Sequence, residues 1–122
     1  MNQDQSQTVM GIMNQMEGVN LHEKKGGKFK FRMYMTQGMK RASIETLDLK
    51  PRPINILRRA GYNTVGEVVD AVSCGIELKR LRNCGEKSAR EIMEQLFLYQ
   101  YNSLPPEERD GYLAEVVLLN RK

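Results

Sequence analysis

Between residues 28 and 35 the chain alternates apolar and polar positions in the stretch KFKFRMYM. On an extended backbone the Phe and Met side chains fall on one face and the Lys, Arg and Tyr side chains on the other, which predicts a half-buried strand. A lone strand cannot satisfy its own backbone groups and must pair. Two partners stay open: residues 115–119 (EVVLL), or a second copy of the chain, which would make a homodimer.

From Ile44 onward, the apolar positions take the spacing of short helices separated by turn residues. Two prolines suit the first turn of a helix over 51–60, which ends at Gly61. Thr64-x-x-Glu67 has the form of a capping box that opens a second helix. The remaining apolar stripes predict a short helix over 76–81 and a long one over 85–101. The segment 44–102 is therefore predicted to be a compact, mainly α bundle of four to five helices.

The segments on either side differ from this bundle. Residues 1–43 form a polar, Met-rich and basic extension that contains the predicted strand. After Ser103, Pro and Glu residues stand where the first turn of another helix would lie, so residues 103–122 predict a C-terminal helix. The β-branched pair Val116 and Val117 keeps a strand as the alternative.

The composition excludes several classes of protein. The 122 residues suit one compact domain with appended segments. No apolar run is long enough for a membrane span, and no secretory signal pattern is present, so we expect a cytoplasmic protein without a membrane partner. His22 is the single histidine, and Cys74 and Cys84 lack the spacing of a zinc site. We therefore expect no metal site, no cofactor and no catalytic residues, and hence not an enzyme.

The net charge of +4 is unevenly distributed. The excess of basic side chains lies in residues 1–44, whereas 45–102 is nearly balanced. A basic head suits an acidic partner such as nucleic acid, although it can equally serve to keep the protein in solution.

The stretch RNCGEKSAREI, residues 82–92, is the strongest candidate for binding chemistry. It opens the long predicted helix, and a helix N-terminus favours an anion because its backbone N–H groups are unpaired. Gly85 would let a phosphate approach the backbone, while Lys87 and Ser88 add a charge and a hydroxyl donor. With Leu78, the stretch resembles a helix-hairpin-helix motif, although most such turns are plain helix boundaries.

The same stretch completes a longer pattern between Ile44 and Leu98. Its parts, in order, are Leu47-Asp48-Leu49, Arg52-x-x-Asn55-x-Leu57, Gly66-Glu67-Val68-Val69, Glu77-Leu78 and Asn83-Cys84-Gly85-Glu86-Lys87-Ser88 followed by Glu91-Ile92. This pattern resembles the C-terminal domain of the bacterial RNA polymerase alpha subunit. Because residues 1–43 do not resemble that subunit's linker or assembly domain, we expect a stand-alone relative.

The resemblance implies a SAM-like, helix-hairpin-helix bundle that grips the minor groove of A·T-rich promoter DNA. It also implies a landing surface for RNA polymerase or transcription factors. The predicted function is a DNA-binding transcription accessory protein of the bacterial cytoplasm, associated with the nucleoid. By position, Arg52 would enter the minor groove beside Asn55, and Arg58 on the same helix is a further candidate. The turn residues would contact the DNA backbone: Asn83, Gly85, Lys87 and Ser88.

Two departures from the family pattern bear on DNA binding, and the first of them, with the nearly balanced charge of 45–102, favours a different function. Glu86 stands where the family commonly has a basic residue, and its carboxylate repels phosphate. Pro53 directly follows Arg52 and disfavours helical backbone angles there. The alternative hypothesis is a protein-interaction adaptor of the transcription machinery with little DNA affinity. A third, an accessory module of a DNA-processing enzyme, rests on the hairpin motif alone.

Overall fold

The structure is a computed structural model that describes residues 30–120. Over this range the mainly α fold predicted from the sequence is confirmed. The helices are α1 (Gln37–Arg41), α2 (Pro51–Arg59), α3 (Val65–Ser73), α4 (Glu86–Ser103) and α5 (Pro106–Asn120). Short 3₁₀ turns cover Ile44–Leu47 and Leu78–Arg80, the latter within the short helix predicted over 76–81. The Met-rich part of the extension, including residues 28 and 29, lies outside the described residues.

Helix α2 begins with Pro51, and Arg52 lies inside the helix. The prediction that Pro53 moves Arg52 away from helical backbone angles is therefore wrong. Both prolines occupy the first turn, where a missing N–H breaks no intrahelical hydrogen bond, so the helix tolerates them. Helix α2 has no side-chain cap of its own. Instead, the Lys50 N–H donates to Glu91 Oε2 on α4 at 3.0 Å, which fixes the start of α2 against α4.

The predicted capping box opens α3. The Thr64 hydroxyl oxygen accepts a hydrogen bond from the Glu67 N–H at 3.2 Å, and Glu67 Oε1 accepts from the Thr64 N–H at 3.1 Å. The Asn63 N–H also donates to Glu67 Oε1, and these backbone hydrogen bonds lower the pKa of the Glu67 carboxyl group. Two orphan amides at the helix start are thus satisfied.

The first apolar core lies where α2, α3 and the two 3₁₀ turns pack against the first half of α4. Its buried side chains are Ile44, Leu47, Leu57, Val65, Val68, Leu78, Ala89, Ile92, Met93 and Leu96. Helix α1 packs on the outside of α3 at Gly66, where a Cβ atom would lie 2.8 Å from the Lys40 carbonyl oxygen. A side chain at position 66 would therefore force α1 away from α3.

A second core joins the last turns of α4 to α5. It contains Phe97, Tyr101, Tyr112, Leu113 and Val116, and Phe31 packs against it from the N-terminal segment. The rings of Phe31 and Phe97 meet edge to face with centroids 5.6 Å apart. Because α4 contributes to both cores, it connects the two parts of the fold.

Residues 30–35 do not form the predicted strand. Their side chains do alternate between half-buried and exposed, as the pattern indicated. Their backbone, however, bonds to helix side chains: Asn120 both donates to and accepts from Lys30, and Gln100 accepts from the Tyr34 N–H. Of the two partners considered, residues 115–119 lie within α5, so pairing with that segment is wrong. Within the C-terminal segment, for which a helix was favoured over a strand, the described residues Pro106–Asn120 are helical and form α5.

Candidate nucleic-acid interface

A tight turn connects the second 3₁₀ turn to α4 and contains residues predicted to contact the DNA backbone. Asn83 has a φ of 63° and Cys84 N–H donates to the Leu81 carbonyl oxygen at 2.9 Å. Asparagine is one of the few side chains that tolerate this left-handed conformation. The turn conformation therefore depends on Asn83 and not on the neighbouring glycine.

Gly85 is the N-cap residue of α4, and the space beside it is open. Its φ of −149° is an extended conformation open to any residue, and a Cβ atom there would meet nothing within 4 Å. The first turn of α4 has no side-chain cap hydrogen bond. Within residues 30–120 no capping side chain accepts from its first backbone N–H groups, so these groups are available to an acceptor on a binding partner. No side chain at position 85 obstructs the approach.

Arg52 lies beside this helix start. Its Nη2 atom is 3.5 Å from the carbonyl oxygen of Asn83, which brings α2 and the turn together. A surface hollow of about 300 Å³ joins Arg52 to the start of α4, and its lining residues are Lys50, Arg52, Pro53, Gly85, Lys87, Ser88 and Glu91. The hollow thus combines three cationic side chains with a helix N-terminus.

An adjoining hollow of about 440 Å³ extends the surface along α2. It is lined by Arg52, Asn55, Ile56, Arg59 and Asn83. Arg52, Asn55 and Asn83, which the sequence placed in the site, therefore do lie on one face. Arg59 was not predicted. Its spacing of seven residues from Arg52, two full helical turns, is a signal that could have identified it.

The structure does not bring Arg58 to this face. Six residues separate it from Arg52, which places it about 120° away around the helix axis. Its guanidinium group forms an ion pair with Glu45 of the first 3₁₀ turn. Arg58 is thus occupied on another side of α2.

The remaining predicted residues differ in their exposure. Lys87 and Gly85 are exposed, whereas Ser88 is only 9% exposed and therefore presents little surface to the hollow. Burial raises the pKa of the neighbouring Cys84 thiol, and Arg52 partly offsets this effect, so the thiol is protonated at neutral pH.

Two carboxylates lie near the cations and have different roles. Glu91 is half-buried and accepts the hydrogen bond from Lys50 described above, so its charge stabilises the start of α2. Glu86 is exposed in the first turn of α4 beside Lys87. The surface is therefore basic, with one exposed negative charge at its edge.

Two features, a metal-binding cluster and a membrane-spanning helix, are absent from the described part of the protein. Within residues 30–120, no three His, Cys, Asp or Glu side chains are grouped so that they could hold a metal ion. Over the same residues, no helix combines the length and the apolar character required to cross a lipid bilayer.

Comparison with known sequences gives one consistent family. The sequence profile for the C-terminal domain of the bacterial RNA polymerase alpha subunit matches residues 36–97. The DNA-directed RNA polymerase subunit alpha of Carboxydothermus hydrogenoformans is 43% identical over 53 residues, and that of Leuconostoc mesenteroides 46% over 55 residues. The corresponding subunit of Symbiobacterium thermophilum is 36% identical over 66 residues.

These alignments cover 43%, 45% and 54% of this protein and 16%, 17% and 20% of the three relatives, in the same order. The match is thus confined to a small part of each relative. No solved structure gives a significant match to this protein.

Proposed function

The protein belongs to the family of the C-terminal domain of the bacterial RNA polymerase alpha subunit, and from this premise we propose that it is a DNA-binding transcription accessory protein. Its proposed target is the minor groove and phosphate backbone of A·T-rich duplex DNA. The family's domain is not a catalytic one, and the protein is not an enzyme.

The observation that supports this proposal is the convergence of Arg52, Asn55 and Asn83 with the uncapped start of α4 on one exposed face. The part of this face around Arg52 suits the inside of a DNA minor groove, and the start of α4 suits the phosphates that line the groove. A narrow A·T minor groove has enhanced negative potential and attracts an inserted arginine, which is the role proposed for Arg52. The groove is about 6 Å wide, so the phosphates that line it lie close to any side chain inserted there.

The start of α4 supplies the proposed phosphate contacts. The free N–H groups of its first turn and the partial positive charge of the helix end favour a phosphate oxygen. Lys87 adds a full charge, and the missing side chain at Gly85 allows close approach. In this proposal Ser88, which is only 9% exposed, contributes its backbone N–H as part of the first turn of α4.

Asn55 and Asn83 complete the proposed contact on the other side of Arg52. Both side chains are exposed and line the same hollow as Arg52. An amide side chain both donates and accepts, so it can bond to a base edge in the groove or to a phosphate oxygen. Arg58, which is paired with Glu45 on another side of α2, has no part in this arrangement.

The test is a fluorescence-anisotropy titration of an A·T-rich duplex, repeated with a G·C-rich duplex of the same length, at low and moderate salt. We expect the A·T-rich duplex to bind more tightly. We also expect the logarithm of the association constant to fall with the logarithm of salt concentration by about 0.9 for each phosphate neutralised. Absence of binding even at low salt would contradict the proposal, as would equal affinity for the two duplexes.

A second candidate function is a protein-interaction adaptor, and the exposed carboxylate of Glu86 favours it. A negative charge in the first turn of α4 repels the phosphate that this turn would otherwise bind. On this hypothesis the partners are RNA polymerase or transcription factors, and the protein copurifies with polymerase while failing to bind DNA.

Both candidate functions place the protein in the bacterial cytoplasm, and the DNA-binding function also places it at the nucleoid. A homodimer through residues 28–35 has less support, because backbone groups of Lys30, Arg32 and Tyr34 already bond to α4 and α5 of the same molecule.

A further inference from the structure

The basic surface around Arg52 continues beyond the residues that the family pattern contains. Arg59 lies two turns further along α2 and shares a hollow with Arg52. A third hollow, of about 510 Å³, then joins Arg59 to Arg82 in the turn before α4, and Ile56 and Ala60 form the rest of its lining. Arg59 and Arg82 thus line one notch, which is continuous with the proposed DNA-binding face. We call this feature the arginine notch.

The two arginines of the notch differ from their nearest cationic neighbours in pairing. Arg58 pairs with Glu45, and Arg80 pairs with Glu77 at 2.6 Å between Nε and Oε1. Among residues 30–120, neither Arg59 nor Arg82 forms a salt bridge. Cations gathered without counter-charges repel one another and favour an anionic partner. The pairing pattern therefore marks the notch, and not the adjacent arginines, as the place for an anion.

The dimensions of the notch suit a further phosphate of the same duplex. Seven residues of helix extend roughly 10 Å from Arg52 to Arg59. One DNA strand presents a phosphate about every 3.4 Å along the helix axis. The separation between Arg52 and the notch therefore equals about three phosphate spacings along one strand. A guanidinium group is also well suited to phosphate because it can donate two parallel hydrogen bonds.

We propose that Arg59 and Arg82 bind the DNA backbone at a second point, beyond the phosphates bound by the start of α4. This inference rests on the proposed DNA-binding function. Because phosphate contacts position a protein without reading bases, the notch contributes affinity and salt dependence but leaves the A·T preference to Arg52.

The test measures the salt dependence of DNA binding for three full-length proteins: the parent, Arg59→Ala/Arg82→Ala, and a charge-matched control, Arg32→Ala/Arg80→Ala. Both control arginines are exposed and already paired, at 3.0 Å with Glu115 and 2.6 Å with Glu77. Circular dichroism melting first establishes that all three proteins are folded. Anisotropy titrations of the A·T-rich and G·C-rich duplexes follow at several salt concentrations.

The notch variant should bind roughly tenfold more weakly at low salt, with a salt slope shallower by about 1 to 2. It should keep the parent's ratio of A·T to G·C affinity, and the control should keep the parent's slope. A parental slope in the notch variant would overturn the inference. An equal loss in the control would also overturn it, because the effect would then be one of net charge. If the parent itself binds no duplex, both the proposed function and this inference fail. If the parent binds but the notch variant keeps the parental slope, only this inference fails, so the two failures are distinguishable.

Discussion

Polar side chains are used differently in the family-matched part of the protein, residues 36–97, and in the flanking layer, which comprises residues 30–35 and 98–120. On the face of the matched part, Arg52, Arg59 and Lys87 are exposed and form no salt bridge among residues 30–120. In the flanking layer, charged and amide groups bond within the molecule. This difference indicates which groups hold the fold together and which remain for a partner.

Glu115 on α5 shows the pattern of the flanking layer most clearly. Its Oε2 atom accepts hydrogen bonds from the Arg32 guanidinium at 3.0 Å and from the Tyr34 hydroxyl at 2.7 Å. The hydrogen bond to Glu115 raises the pKa of the Tyr34 hydroxyl. Arg109 is likewise engaged, since it donates to the carbonyl oxygens of Leu104 and Asn102. These side chains attach the N-terminal segment and α5 to α4.

The largest expected effect tests whether the two regions fold as one unit. Phe97 is fully buried and contacts Phe31 and Tyr112, with ring centroids 5.6 Å and 6.0 Å away. Phe97→Ala removes this packing from the helix that the regions share, and should lower the free energy of unfolding by about 3–5 kcal/mol in a single transition. Urea denaturation, monitored by circular dichroism and by tyrosine fluorescence, measures the free energy of unfolding and shows whether there is one transition or two.

The control for this change is Leu118→Ala, whose side chain is 68% exposed on α5 and should be nearly neutral. Two separate transitions in Phe97→Ala, with the matched part as stable as in the parent, would show that the flanking layer folds independently.

A pair of glycines, one in each region, gives the next effect. Gly66→Ala places a Cβ atom 2.8 Å from the Lys40 carbonyl oxygen, and the strain of displacing α1 should cost about 1–3 kcal/mol despite the better helix propensity of alanine. In α5, a Cβ atom at Gly111 meets nothing within 4 Å, so Gly111→Ala should stabilise the protein by about 0.5–1 kcal/mol. Thermal melting compares the two, and equal shifts of the same sign would refute the close packing of α1 on α3.

A smaller effect is expected from the clamp on the N-terminal segment. Asn120 accepts from the Lys30 N–H at 2.9 Å and donates to its carbonyl oxygen at 2.7 Å. Asn120→Ala removes both hydrogen bonds and should lower stability by about 1 kcal/mol. Because the clamp belongs to the flanking layer, DNA affinity should stay at the parental value. A clear loss of affinity in this variant would mean that the flanking layer also takes part in binding.

Much of the matched region could be predicted because its signals are local. The capping box at Thr64 and Glu67 and the prolines at the start of α2 act within a few residues, so the sequence contains the whole interaction. The extended segment shows the limit. Its alternation correctly identified the half-buried side chains, but its backbone partners, Gln100 and Asn120, lie 66 and 90 residues away. Side-chain amides in place of a strand leave no periodic signal.

The candidate site was predictable to a similar extent. The family pattern supplied Arg52, Asn55 and Asn83, and the structure gathers them on one face. It also supplied Gly85, although only the structure shows that the space beside this residue is open. Arg58 was included because it shares a helix with Arg52, but the helical period and its ion pair with Glu45 turn it elsewhere. Arg59 lies two helical turns from Arg52 and could have been predicted from that spacing. Arg82 could not, because only the tertiary contact between the turn and α2 brings it to this face.

The most direct test of the proposed DNA-binding face compares Arg52→Ala with Arg80→Ala on an A·T-rich duplex by fluorescence anisotropy at low salt. Both arginines are exposed, and each change removes one positive charge, but Arg80 already pairs with Glu77. Arg52→Ala should weaken binding by about 1–3 kcal/mol and reduce the preference for A·T-rich over G·C-rich DNA, while Arg80→Ala stays near the parent. Equal affinity of the parent and Arg52→Ala for the A·T-rich duplex would contradict the proposed site.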